Sequence, residues 1–70
     1  MKIITRNLLK GKVKAITEGA VNDEVVIVLP NGLEITSVIT KSSIKNLALE
    51  KGKEVYAVIK ASNVMIAIDE

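Results

Sequence analysis

Seventy residues without cysteine or histidine exclude disulfides, thiolate or imidazole metal ligands, and the usual general base. Ten basic against eight acidic side chains leave a net charge of +2, too mild a bias to mark a polyanion-binding protein. Hydrophobic residues make up 49% of the chain. One core at this size contributes about 3–5 kcal/mol, and no staple is available, so assembly with further chains is expected.

The opening MKIITRNLL lacks the long apolar stretch of a signal peptide. No apolar run approaches the roughly 18 residues of a membrane span, so a cytoplasmic chain is expected. From Leu9 to Thr17 the sequence alternates, with Lys10, Lys12 and Lys14 on one side and Leu9, Val13 and Ala15 on the other. This predicts a strand with one wet face. Glu18-Gly19 marks a turn or bulge. Val25–Leu29 is a β-branched run without polar alternation and predicts a second strand covered on both faces. Pro30-Asn31-Gly32 is the clearest hairpin turn, and Leu33–Ile39 returns as a third strand.

The period then changes. Ile44 and Leu47 lie three apart and Thr40 is a good N-cap, which predicts a helix of about two turns over 40–47. Lys51-Gly52-Lys53 is a second turn. Val55, Ala57 and Ile59 face inward along a fourth strand. Val64–Ile68 reads as a fifth, apolar on both faces, which suggests a subunit interface. The order β-β-β-α-β-β predicts an all-β, five-stranded OB-like Greek-key barrel with one short helix between strands three and four. A single domain over residues 1–70 is expected.

Three polar stretches sit badly with burial: Thr5-Arg6-Asn7, then Thr40 with Ser43, and then Lys60-Ala61-Ser62. Taken singly they read as a surface arginine, a helix cap and a solvated turn. Together they describe one chemistry, because each stretch supplies donors and none contains Asp or Glu. A pocket of donors with two fixed cations suits a fully deprotonated dianion; protonated phosphate carries an O–H that would lack an acceptor. Burying a dianion is costly unless it is paired. Charge-assisted hydrogen bonds return roughly 1.5–3 kcal/mol each, so about six or more are needed. Two chains meeting at the site can supply them more readily than one.

Several runs also resemble the molbindins, the small Mop proteins with a TOBE-type domain. They are Arg6-Asn7 with Lys10-Gly11-Lys12-Val13, Gly19-Ala20-Val21-Asn22 with Glu24-Val25, Ile35-Thr36 with Ile39-Thr40 and Ser43, and Lys60-Ala61-Ser62 with Val64-Met65. The resemblance covers nearly the whole chain. It implies a hexamer, built as a trimer of dimers, that binds molybdate or tungstate between subunits for storage and molybdenum homeostasis. The anion would be held by hydrogen bonds, with no protein–metal coordination. By position, the resemblance assigns Thr5, Arg6, Asn7, Lys60, Ala61 and Ser62 to one side of the site. It assigns Thr40 and Ser43 of a neighbour to the other. Where the family usually reads Ser-Ala-Arg-Asn this chain has Ile4-Thr5-Arg6-Asn7, so Thr5 replaces the lost hydroxyl only if its side chain points inward. A second kind of family site implies a role for the backbone amides of Gly19, Ala20, Val21 and Asn22.

Two other classes compete. OB barrels often bind single-stranded nucleic acid by stacking bases on aromatic side chains, and this chain offers one, Tyr56. A regulatory, oxyanion-sensing interaction module is the other. No carboxylate pair, nucleophile–base couple or phosphate loop suggests an enzyme.

Overall fold

In the computed structural model, which describes residues 7–69, four strands form one antiparallel sheet. They are β1 (Asn7–Glu18), β2 (Asn22–Val28), β3 (Glu34–Thr40) and β4 (Glu54–Ile59), with a helix, α1 (Lys41–Asn46), between β3 and β4. The order across the sheet is β3-β2-β1-β4. The twelve-residue β1 is the spine: its first half pairs with β4 and its second half with β2.

Two local features curl this spine. Gly11 sits so close to β2 that an added Cβ would lie 2.6 Å from the Val28 carbonyl oxygen. The register then slips between Val13 and Ala15, leaving Lys14 as the extra residue of a β-bulge. The bulge overturns one expectation. Ala15 was assigned to the apolar face with Val13, but it is exposed and Ile16 turns inward instead. Leu9 is likewise exposed at 38%. The same curl leaves a cavity of about 270 Å³ between the outer strands, lined by Ile35–Ser37 of β3 and Tyr56–Ile59 of β4.

The core is small. Val13, Val25, Ile27 and Ala57 are buried, flanked by Ile16, Leu29, Ile35, Ile39, Ile44, Leu49 and Val55. A fully buried Val or Ile is worth about 1.5–3 kcal/mol, so three such positions and one alanine supply a modest driving force. In β2 one face is buried and Val26 and Val28 on the other are half-covered, a weaker version of the two-sided burial expected. In β4 the inward set is Val55, Ala57 and Ile59, as the alternation predicts.

Turns and caps follow the local sequence closely. The Pro30-Asn31-Gly32 hairpin closes with Gly32 N–H donating to the Leu29 carbonyl at 2.9 Å. Asn31 Oδ1 accepts from Leu33 N–H at 3.1 Å. Thr40 caps α1, its Oγ1 accepting from Ser43 N–H at 3.1 Å. At the other end Leu49 N–H donates to Ile44 O and Ala48 N–H to Lys45 O, a Schellman closure with Ala48 at φ 51°. Lys53 Nζ donates to the Leu47 carbonyl at 2.7 Å and completes the end.

The expected fifth strand is absent from the sheet. After β4 the chain makes one 3₁₀ turn, Ala61–Asn63, and Val64–Ile68 continues without a ladder partner. Met65, Ile66 and Ile68 are 93%, 91% and 84% exposed. Composition can favour an extended segment, but a strand also needs a neighbouring edge to bond.

Candidate functional site

Asn7 opens β1 directly opposite Ile59, the last residue of β4. Its side-chain amide donates to the Ile59 carbonyl at 3.1 Å, tying the start of β1 to the end of β4. Lys60 follows at once in extended backbone and leads into the 3₁₀ turn, where Asn63 N–H donates back to Lys60 O at 2.8 Å. Lys60, Ala61 and Ser62 are all exposed, and Lys60 lines the mouth of the cleft between β3 and β4. Among the described residues Lys60 forms no ion pair, whereas Lys10, Lys14 and Lys41 each have an acidic partner. Thr5 and Arg6 lie outside the described residues.

The second cluster forms where β3 runs into α1. Thr40 Oγ1 lies 2.8 Å from Ser43 Oγ and 3.2 Å from Ser42 Oγ, so three hydroxyls meet at one point. The sequence pointed to Thr40 and Ser43 but missed Ser42. In β2, Asn22 pairs with Thr40, which brings the Gly19–Asn22 turn beside these hydroxyls. That turn is tight: a Cβ on Gly19 would sit 2.3 Å from the Asn22 carbonyl oxygen.

Strand direction separates the two clusters. β1 begins at Asn7 and Ile59, and it ends at Glu18, which pairs with Asp23 next to Asn22 and Thr40. Measured along the strand, its twelve residues run on the order of 30 Å at about 3.3 Å per residue, and the curl brings the ends closer than that contour. Along β1, Asn7 and Lys60 therefore stand at the end opposite to Thr40 and Ser43.

Between the turn and the hydroxyls lies a group the sequence reading passed over. Asp23 is the buried charged residue of the described chain, 5% exposed. Its Oδ1 accepts from Lys41 Nζ at 2.6 Å and from Gly19 N–H at 3.2 Å. The Lys41 hydrogen bond is the main reason its carboxyl is held below the ordinary 3.8; burial pushes the other way and the Gly19 bond adds to the lowering. The same bond raises Lys41 above 10.5. The signal was present in the sequence: Asp23, Val25 and Ile27 share the inward phase of β2, so a carboxylate there needs a buried partner.

The lysine row of β1 is largely compensated. Lys10 Nζ is 3.7 Å from Glu54 Oε2, and Lys14 pairs with Glu34. Among the described residues no cluster of three acidic side chains is arranged to hold a metal cation.

The sequence matches the TOBE domain family over residues 4–66. The chain belongs to that family. Among TOBE proteins it is 46% identical, over 69 residues covering 99% of its length and 100% of the relative's, to a probable molybdenum-pterin-binding protein of Haemophilus influenzae. A molybdate-binding protein from Sporomusa ovata has the same fold at TM-score 0.91 and 35% identity, covering 97% of this chain and 100% of that one. The cytoplasmic molybdate-binding protein ModG, solved with molybdate bound, aligns at TM-score 0.89 and 49% identity over 93% of this chain. That alignment spans 46% of ModG. The fold expectation of a molbindin OB-like domain therefore stands, with four strands in the sheet where five were expected.

Proposed function

We propose that this chain binds a tetrahedral oxyanion dianion, molybdate or tungstate, between copies of itself, and serves storage and homeostasis of that ion. The observation that carries the reading is the separation of its two donor clusters. Lys60, Ala61 and Ser62 lie at one end of the curled sheet with an ammonium that has no acidic partner among the described residues, and Thr40 and Ser43 lie at the other with hydroxyls. In this reading each is half of a donor shell, and two protomers bring the halves together. Thr5, Arg6 and Asn7 join the cationic half, and the amides of Gly19, Ala20, Val21 and Asn22 form a second site beside the hydroxyl half. Relatives that bind molybdate or molybdenum-pterin support the ligand class.

Assembly follows from the tail. Val64–Ile68 exposes a run of large apolar side chains, more than a small domain leaves in water without a partner. A second copy is the partner proposed for this segment, and a hexamer arranged as a trimer of dimers is the assembly proposed. The protein acts by binding, without catalysis. Among the described residues no helix is long and apolar enough to cross a membrane, and the relative ModG is described as cytoplasmic, which supports that location. The paired lysines and single Tyr56 disfavour nucleic acid as the ligand.

Mixing tests the composite site. Lys60→Ala and a Thr40→Ala/Ser43→Ala variant should each bind molybdate weakly in isothermal titration. Refolding the two together should restore tight sites in a fraction of the assemblies, because intact halves then meet across chains. Mixtures that titrate as the sum of two weak proteins would defeat the reading.

A further inference from the structure

Asp23 is the charged side chain buried among the described residues, on the same face of β2 as the core residues Val25 and Ile27. A buried ion pair is a weak source of stability, since desolvation offsets most of the attraction. Its position suggests another use. Lys41 is the first residue of α1, immediately after Thr40, and Thr40 pairs with Asn22 beside Asp23. The Lys41 side chain is 45% exposed, yet its ammonium is held by Asp23 Oδ1 at 2.6 Å. The same carboxylate oxygen holds the Gly19 amide at 3.2 Å.

Resting on the oxyanion reading above, we propose that Asp23 is a selectivity residue: it sequesters the Lys41 ammonium so that the Thr40–Ser43 half of the site presents only neutral donors of fixed geometry. A free lysine beside those hydroxyls is a mobile point charge on a flexible stem and attracts any anion regardless of size. Hydroxyl and amide donors fixed by a cap and a tight turn attract only an ion that fits them. The other acid that Lys41 feels is Glu18, which is exposed and screened by water, so it cannot substitute for Asp23.

The test compares molybdate with sulfate, the smaller tetrahedral dianion, by titration calorimetry at one pH and ionic strength. Asp23→Asn should lower the molybdate-to-sulfate affinity ratio by about tenfold, chiefly by tightening sulfate. Adding Lys41→Gln to Asp23→Asn should return the ratio to within about threefold of the original. A ratio that does not move, or one that falls equally in the single and double variants, overturns the proposal and leaves Asp23 a fastener of the turn. Should Asp23→Asn fail to fold, Lys41→Gln alone leaves the carboxylate uncompensated. It should weaken both anions by a similar factor, several-fold, and leave the molybdate-to-sulfate ratio within about threefold of the original; a ratio that falls by about tenfold counts against the proposal. If the unaltered protein binds neither anion, the oxyanion reading itself has failed, which is a different result from an unmoved ratio.

Discussion

At the end of the curled sheet where β1 begins, the polar groups are exposed. Lys60, Ala61 and Ser62 follow the last ladder pair, and the Lys60 ammonium has no acidic partner among the described residues. At the end where β1 finishes, the polar groups engage one another: three hydroxyls within 3.2 Å, a cap, and a carboxylate holding a lysine and a turn amide. Among the described residues an unpaired charge thus stands at one end and fixed geometry at the other. A dianion needs both, charge for affinity and geometry for fit, and the proposed site takes one from each of two copies.

The largest effect should come from removing the means of joining the ends. Ending the chain at Asn63 deletes Val64–Ile68 while leaving every strand, the helix and both donor clusters in place. Sedimentation velocity should then show loss of the assembly, and molybdate binding should disappear with it. Binding retained by a monomer would mean that the two ends are not halves of one site.

Next come the donors themselves. Lys60→Ala removes a charge-assisted contact of about 1.5–3 kcal/mol, or roughly 10–100-fold in affinity. Thr40→Ala removes a neutral donor of about 0.5–1.5 kcal/mol, a few-fold in affinity, and also costs about 1 kcal/mol of stability through the lost cap. The contrast in affinity should hold even though Thr40 is the structurally busier residue. Equal losses would erase the distinction between a charged and a neutral end.

How much of this was legible beforehand depended on range. The hairpin at Pro30–Gly32, the Thr40 cap and the inward phase of Val55, Ala57 and Ile59 were readable because each rests on residues a few positions apart. Ala15 was misassigned because the extra residue at Lys14 shifts the phase without leaving a compositional mark. Val64–Ile68 reads as a strand on composition, but it forms no ladder with either edge strand, β3 or β4. For the site, the residue types announced donor chemistry. The separation of Lys60 from Thr40 emerges only once strand directions and register are known.

Acid should dismantle the two ends unequally. Asp23 titrates below 3.8 when folded, because Lys41 hydrogen-bonds its ionised form. A depressed carboxyl contributes stability that is complete above its unfolded value and is lost as pH falls through the folded one. Protection of the Gly19 amide against exchange should therefore fall below about pH 4, because the carboxylate that accepts from it is then neutralised. Lys41 behaves in the opposite sense. Its raised value keeps the pair intact until pH climbs above 10.5.

The smallest effect separates rigidity from recognition. Ala48 holds a left-handed conformation at φ 51°, where a Cβ costs about 1–2 kcal/mol and glycine costs nothing sterically. Glycine loses more unfolded-state entropy, roughly 0.4–1 kcal/mol, so Ala48→Gly should stabilise the protein by about 0.5–1 kcal/mol. Denaturant midpoints would register the change. Ala48 follows the far end of α1 from Thr40 and Ser43, so the substitution firms the helix without altering a donor. If the hydroxyl end is already fixed by its cap and by Asp23, molybdate affinity should not move. An affinity gain matching the stability gain would mean that this end is ordered by the ligand, and that its advantage over the Lys60 end is acquired on binding.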